Sequence, residues 1–245
     1  MADWQVLNTR LTVFVGPDTT APATLFRDVV GEDAESSTFQ RAAATRIDTG
    51  ILGDGTLTLQ VQPIRIDWVY EPIGLMNGGP FATLGAFPAG AQPLLQLSDR
   101  WVRSNWFPSS QRIALGFILI SLVPDRETGY RELAEFVDGV PTDPNATDFQ
   151  YQVNHPRPSH AGVDGLRINQ LAKWSVGAFQ SMRVTIGPGT ANQVLGPLQY
   201  HLRLELDINT AGEFAGPIPQ DRIEDVVHEL LEGANEVCQH GSRMR

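Results

Sequence analysis

The segment from Asn154 to Asp164 concentrates the side chains best suited to acid–base chemistry. Eleven residues carry two histidines, a serine, an arginine and a carboxylate, on His155, Arg157, Ser159, His160 and Asp164. Histidine serves as a general base or a metal ligand near neutral pH, so His155, His160 and Asp164 are the candidate catalytic residues of a hydrolase or nuclease. Two histidines five positions apart, without further ligand spacing, do not define a metal site. Prolines in the same segment equally favour a solvated loop without chemistry, and the sequence predicts no cofactor.

A second polar set occupies every other position of the segment 198–209. It consists of His201, Arg203, Glu205, Asp207 and Asn209, and it alternates with leucines and an isoleucine. Alternate side chains of a strand share one face, which would place Glu205 and Asp207 about 7 Å apart at Cα. This pattern suits paired-carboxylate chemistry or ligand binding, and it equally suits the solvent-facing side of an antiparallel sheet.

Arginines supply the candidate contacts for an anionic ligand. A guanidinium binds a carboxylate or phosphate through two parallel hydrogen bonds, which makes Arg157, Arg167 and Arg203 candidate ligand-binding residues. Each of them can also pair with an acidic side chain nearby. Arg65 and Asp67 are expected to form cross-strand charge pairs rather than a site. No phosphate-binding loop, nucleophile elbow, zinc-protease motif or cysteine pair accompanies these residues.

Alternating apolar residues predict the strands that must position these groups. The clearest hairpin signal surrounds Gly53-Asp54-Gly55, because such a turn needs positive φ. The segment 113–122 is apolar at both odd and even positions, which predicts a central strand buried on two faces. Apolar positions change from odd to even numbers at Gln62-Pro63, and this change predicts a β-bulge at Pro63.

Helical stripes predict four helices. The first follows Thr20, the second covers 94–102, the third begins at Asp125 and the last covers 223–237, while 32–38 resembles a loop. The order of elements predicts an α+β fold with a largely antiparallel twisted sheet and helices on one face. A glycine- and proline-rich connection at 71–93 suggests two halves, 1–90 and 91–245, and we hypothesise that they are pseudo-repeats sharing the sheet.

Composition limits the class of partner. The net charge of −10, from 18 basic and 28 acidic residues, disfavours non-specific binding to nucleic acid. A single cysteine, Cys238, excludes an internal disulfide and fits a reducing compartment. The longest apolar run, at 113–122, is shorter than the ~20 residues that span a bilayer, and the opening residues lack the pattern of a secretory signal. We therefore expect a cytoplasmic protein without membrane contact.

Three stretches carry a resemblance to a known family. They are Leu57 to Pro63 together with Arg65 to Trp68, Gln111 to Gly116, and Leu204 to Thr210. These stretches resemble a sporadically distributed bacterial family of uncharacterised proteins, although the chain lacks that family's apolar, proline-containing opening segment. The resemblance implies an α+β fold and a bacterial source, and it carries over no activity or catalytic residue. Sporadic distribution is typical of accessory and antiviral defence genes.

Three functions follow from these patterns. The absence of a catalytic motif and the broad polar face favour a non-enzymatic interaction protein, an accessory subunit that binds a protein partner or its own copy. The second candidate is a small-molecule or anion binder with a cleft between the two halves. The third is a hydrolase or nuclease that uses the segment 154–164.

Overall fold

The computed structural model describes residues 2–74, 82–143, 147–187 and 190–243, with the side chains of 183–187 and 190–192 left out. Within these ranges the chain forms ten strands and four α-helices. In chain order they are β1 (Gln5–Val15), α1 (Leu25–Val30), β2 (Ser36–Gln40), β3 (Thr45–Leu52), β4 (Gly55–Gln62), β5 (Arg65–Pro72), α2 (Gln92–Val102), β6 (Ser110–Val123), α3 (Arg126–Phe136), β7 (Gln150–Asn154), β8 (Arg157–Pro158), β9 (Arg167–Gly187), β10 (Thr190–Thr210) and α4 (Ile223–His240).

All ten strands belong to one antiparallel sheet. Their spatial order is β2-β3-β4-β5-β1-β6-β10-β9-β7, and the short β8 pairs with the beginning of β9. The α+β fold and the antiparallel sheet are confirmed. The first strand of the chain lies between β5 and β6, so it joins the 1–90 and 91–245 segments. The division into two halves stays a prediction, and residues 75–81 of the proposed connection lie outside the described residues.

Alternate side chains of the strands form the core beneath the helices. Leu11, Leu115 and Leu204 project from neighbouring strands on the same face, and all are buried. Helices α3 and α4 pack against β6, β9 and β10 on this face, and α2 packs against β1 and β5. Removal of this apolar surface from water is the main driving force for folding. No described helix is long and apolar enough to cross a membrane.

Strand β6 is central, as its composition predicts. It pairs with β1 on one side and β10 on the other, and most of its side chains are buried on both faces. The alternation in β10 is also confirmed, because Leu204 and Leu206 are buried while Glu205 remains partly exposed.

The predicted bulge at Pro63 is wrong. Gln62 pairs with Arg65, so Pro63 and Ile64 form a two-residue hairpin turn between β4 and β5. In this register odd-numbered residues of β4 face even-numbered residues of β5, as Leu59 faces Trp68. The change of parity therefore marks a reversal of the chain rather than an extra residue within one strand.

Residues typical of helix ends predicted some of the helix boundaries correctly but not all of them. Asp125 caps α3 by accepting a hydrogen bond from the Thr128 backbone N–H, as predicted. Helix α1 begins at Leu25, later than Thr20 suggests, and it ends at Gly31 in the left-handed conformation. The prediction of a loop over 32–38 is wrong from residue 36 onward, where β2 begins. This edge strand has all its side chains exposed. Full exposure leaves no alternation in the sequence from which that strand could be predicted.

Strands β9 and β10 extend beyond their neighbours as a two-stranded ribbon. The last pair with β6 joins Tyr200 to Val123, and the last pair with β7 joins Ser175 to Gln150. Residues 178–187 and 190–199 pair only with each other within the described chain, over a length of about 30 Å. We call these two segments the ribbon.

Two leucines of β10 test this division between sheet and ribbon. Leu204 is fully buried, whereas Leu198 is 50% exposed on the ribbon. We expect Leu204→Ala to lower the free energy of unfolding by about 2–5 kcal/mol, because it leaves a cavity in the core. The matched variant Leu198→Ala should change it by less than about 0.5 kcal/mol, since little contact is lost. Urea denaturation measures both, and equal effects would contradict the described ribbon.

Candidate functional site

The 154–164 segment packs on α4 through one buried carboxylate. Glu229 lies on the inward side of α4 with its side chain 1% exposed. Arg157 forms an ion pair with it, Ser159 donates a hydrogen bond of 2.5 Å, and the His160 backbone N–H donates another of 3.1 Å. We call this arrangement the Glu229 clasp. It consumes much of the hydrogen-bonding capacity that made the segment a candidate for catalysis.

The clasp keeps Glu229 ionised. Burial by itself raises the pKa of the Glu229 carboxyl, but the hydrogen bonds from Ser159, His160 and Arg157 outweigh burial and hold the pKa below its ordinary value of 4.5. The His160 ring extends the network, with Nδ1 lying 3.2 Å from Glu229 and Nε2 3.2 Å from Glu232. These contacts fix the segment against the helix.

The remaining catalytic candidates are not joined to this cluster. His155 is half-buried, and its backbone N–H donates to the Gln170 carbonyl. Asp164 is exposed in the turn before Leu166. No hydrogen bond links His155, His160 and Asp164 to one another within the described part of the chain, and no group of histidine, cysteine and acidic residues there has the arrangement of a metal site.

The three candidate arginines lie in separate places. Arg157 faces α4, and Arg167 is exposed and donates to the Pro156 carbonyl at 3.3 Å. Arg203 lies on the opposite face of the sheet, where its Nε donates to Glu205 at 2.8 Å. Arg157 and Arg167 lie on the paired strands β8 and β9, but adjacent register positions direct their side chains to opposite faces. Arg157 and Arg203 are already paired with carboxylates.

The sheet face opposite the helices, here the open face, carries the polar ladder of β10. Register places three residues in one row, with Gly116 on β6 in the middle, Arg10 on β1 to one side and Asp207 on β10 to the other. The next row contains Asn8, Ile118, Glu205, Lys173 and Gln152, contributed in that order by β1, β6, β10, β9 and β7. Two rows of long side chains thus surround one position that has no side chain.

A cavity of about 320 Å³ occupies this part of the open face. Its lining includes cations, carboxylates, amides and aliphatic groups: Asn8, Arg10, Gly116, Ile118, Gln152, Leu171, Lys173, Glu205 and Asp207. The volume lies at the lower end of the range for small-molecule sites. Glu205 and Asp207 were expected from the alternation in β10, whereas Arg10 and Lys173 were missed.

Two of the four charged side chains that line the cavity, Glu205 and Lys173, are paired with each other. Glu205 receives the Arg203 guanidinium at 2.8 Å and the Lys173 ammonium at 3.6 Å. Burial raises the pKa of the Glu205 carboxyl, but these two cations outweigh burial and hold the pKa below its ordinary value. Arg65 and Asp67 form a charge pair with each other at 2.7 Å. Both lie on β5, so the expected cross-strand charge pairs are wrong, and the contact to Asp67 from the neighbouring strand comes from Thr12.

His201 ends the polar ladder in a buried position. Its ring lies over Gly177 of β9, where an added Cβ would be 2.7 Å from the ring Nε2. Burial, and then the charge of Arg203, lower the pKa of His201 below its ordinary value of 6.5. The open face is therefore drier near β10 than a solvent-facing sheet, and Asn209 is buried there as well.

Comparison of the chain with protein-family models, curated proteins and solved structures finds no match. The resemblance to a bacterial family stays a prediction, and the geometry of the chain itself must support any proposal on function.

The Glu229 clasp is testable through its charge. We expect Glu229→Gln to lower the free energy of unfolding by about 1.5–3 kcal/mol at neutral pH, because charged hydrogen bonds are lost. A carboxyl with a lowered pKa stabilises the fold above its unfolded pKa, and that contribution disappears as the pH falls through the folded pKa. The difference between wild type and variant should therefore shrink below pH 4.5.

Urea denaturation across acidic and neutral pH measures this difference. The control is Glu135→Gln, an exposed carboxylate on α3 outside the clasp, which should change stability by less than about 0.5 kcal/mol. A penalty for Glu229→Gln that persists unchanged in acid would contradict the clasp.

Two glycines of the open face give a second matched test. At Gly116 a Cβ would meet its nearest neighbours at 3.6–3.7 Å, whereas at Gly177 it would meet the His201 ring at 2.7 Å. We expect Gly116→Ala to raise stability by about 0.5–1 kcal/mol, because glycine weakens a strand interior. Gly177→Ala should lower it by about 1–3 kcal/mol through overpacking. Thermal denaturation that ranks the two variants in the reverse order would contradict the described packing.

Proposed function

We propose that the protein is a non-enzymatic interaction protein, a cytoplasmic accessory subunit of a bacterial system, and that it binds its partner through the ribbon. The observation that carries this proposal is the apolar surface of the ribbon. Met182 is 55% exposed, Leu195 is 61% exposed and Leu198 is 50% exposed. Exposed apolar groups that lie together are typical of protein interaction sites.

Register places these three side chains on one side of the ribbon. Leu195 pairs with Met182, and Leu198 pairs with Gln180 two positions along β9. The extra residue at Gly196-Pro197 forms a bulge, so Leu195 and Leu198 share a side although they are three positions apart. This is the side on which β10 carries core residues further along, and on the ribbon all three side chains are at least half exposed.

The edges of the ribbon also support binding of another chain. Along 178–187 and 190–199 each strand has one edge without a partner strand among the described residues. Unpaired backbone N–H and C=O groups on such an edge can pair with an added strand. Backbone pairing gives affinity and the apolar side chains give specificity, which suits either a protein partner or a second copy of the chain.

The enzymatic alternative has less support. His160, Arg157 and Ser159 bind Glu229, and this use accounts for their clustering without chemistry. A hydrolase or nuclease activity of the 154–164 segment stays an untested prediction. A small-molecule site has a specific observation behind it, the cavity of the open face.

A charge placed on the ribbon should abolish the interaction. We expect Leu195→Asp to remove either self-association, measured by size-exclusion chromatography with light scattering, or a protein that co-purifies from the source organism. A carboxylate in an apolar interface is costly to desolvate, which is the physical reason for the loss.

The matched control is Phe39→Asp. Phe39 is 62% exposed on β2, at the far edge of the sheet from the ribbon, and the change in charge is the same. We expect this variant to behave as wild type. A monomeric wild-type protein with no co-purifying partner, or equal loss in both variants, would overturn the proposal.

A further inference from the structure

Arg10 presents a guanidinium without a partner to the cavity of the open face. Its Nε and Nη2 atoms each lie 3.7 Å from the position that a Cβ on Gly116 would occupy, so the side chain extends from β1 over the middle of β6. Arg10 is half-buried. Within the described part of the chain it forms no hydrogen bond or ion pair, in contrast to Arg65, Arg112 and Arg203 on the same face. A partly desolvated cation without a counter-charge is unfavourable, and a bound anion would relieve this cost.

Asp207 faces Arg10 across Gly116. One oxygen of its carboxylate, Oδ1, accepts a hydrogen bond of 3.0 Å from the Asn209 amide. The other oxygen has no hydrogen bond among the described residues. Both residues are register neighbours of Gly116, so their Cα atoms lie about 10 Å apart, two strand spacings. Opposite charges therefore line one cavity without forming an ion pair.

Gly116 keeps the space between them open. A Cβ at this position would make only ordinary van der Waals contacts, so packing does not require glycine here. At Gly177, by contrast, the His201 ring fills the space. Glycine weakens the interior of a strand, and one that the neighbouring protein atoms do not demand is typical of a site that a ligand approaches closely.

The rest of the lining restricts the charge and character of the ligand. The lining carries two cations, Arg10 and Lys173, and two carboxylates, Glu205 and Asp207, so the cavity as a whole is close to neutral. A doubly charged phosphate beside Glu205 and Asp207 would be repelled, whereas a ligand with one positive and one negative group meets a complement for each. Ile118 and Leu171 offer aliphatic surface to a hydrocarbon chain.

We propose that the cavity binds a free α-amino acid with an aliphatic side chain. The carboxylate pairs with the Arg10 guanidinium, the ammonium donates to Asp207, and the hydrocarbon chain packs on Ile118 and Leu171. Because the Arg10 side chain already reaches Gly116, about 5 Å of lateral separation remains to Asp207, one strand spacing. The short distance between the two charged groups of an α-amino acid fits that gap. This site is independent of the ribbon.

The test compares L-leucine with molecules that lack one of its charged groups. Calorimetric titration of the full chain uses L-leucine, 4-methylpentanoate, 3-methylbutylamine and inorganic phosphate as separate probes at millimolar concentration. We expect L-leucine to bind and to raise the melting temperature, since a ligand selective for the folded state stabilises it. The carboxylate, the amine and phosphate should bind at least tenfold more weakly.

Variants assign the contacts. Arg10→Gln and Asp207→Asn should each weaken L-leucine binding by about tenfold to a hundredfold, as expected for loss of a charged hydrogen bond. Arg41→Gln is the matched control, because Arg41 is exposed in the turn between β2 and β3, and it should leave affinity unchanged. Gly116→Val fills the space above Gly116 in the cavity without altering its charge. It should therefore abolish L-leucine binding while the circular dichroism spectrum stays that of the wild type.

Four results would overturn the proposal. They are no binding of L-leucine, L-isoleucine or L-valine; equal binding of 4-methylpentanoate; preferential binding of phosphate, which would make the cavity a simple anion site; and undiminished L-leucine affinity in both Arg10→Gln and Gly116→Val. Because two variants of unrelated chemistry address the same space, misfolding of one leaves the other decisive. Loss of partner binding by Leu195→Asp has no bearing on any of these outcomes.

Discussion

The pairing of β6 with β1 and β10 is the constraint on which the rest of the structure depends. β6 forms hydrogen bonds along both edges and buries most side chains on both faces, so it can fold stably only between two other strands. β1 is the first strand of the described chain, and β10 begins about 80 residues after β6 begins. The helix-covered core and the cavity of the open face both need this three-strand centre. Folding must therefore close long loops before the central contacts form, which is typical of slowly folding sheets.

The two faces of the sheet obey different rules. In the core beneath the helices, Trp68, Trp101 and Trp174 are fully buried, and packing determines which residues fit. On the open face the polar groups of the central strands are shielded enough that each needs a partner. Asp67 obtains one from Arg65 and Thr12, and Glu205 from Arg203. Arg10 stands apart from this pattern, and for that reason it indicates a ligand more strongly than the histidines of the 154–164 segment do.

Local patterns in the sequence predicted the strands and helices better than they predicted the candidate site. The alternation at 202–208 and the cap at Asp125 each depend on neighbours along the chain, and both were predicted correctly. Pro63 was misjudged because a change of parity has two causes, a bulge or a reversal, and only the register distinguishes them. Arg10 was missed for a related reason. Its relation to Gly116 and Asp207 exists only once three distant strands are aligned, and no spacing within one segment reports it. Glu229 likewise looks like any acidic residue of a helix until the 154–164 segment lies against it.

The bulge at Gly196-Pro197 affects the direction in which the ribbon extends from the sheet. A bulge bends and twists the strand that carries it, so the outer part of the ribbon is aimed differently from the sheet that supports it. A regular strand shortened by one residue here would still hold Leu195 and Leu198 on a common side, because they would then be two positions apart. Loss of a single residue would thus change the direction of the ribbon while keeping its apolar residues on one side. For the partner binding proposed above, the length of the chain at this point would set the orientation of the assembly, and the three apolar residues would set its strength.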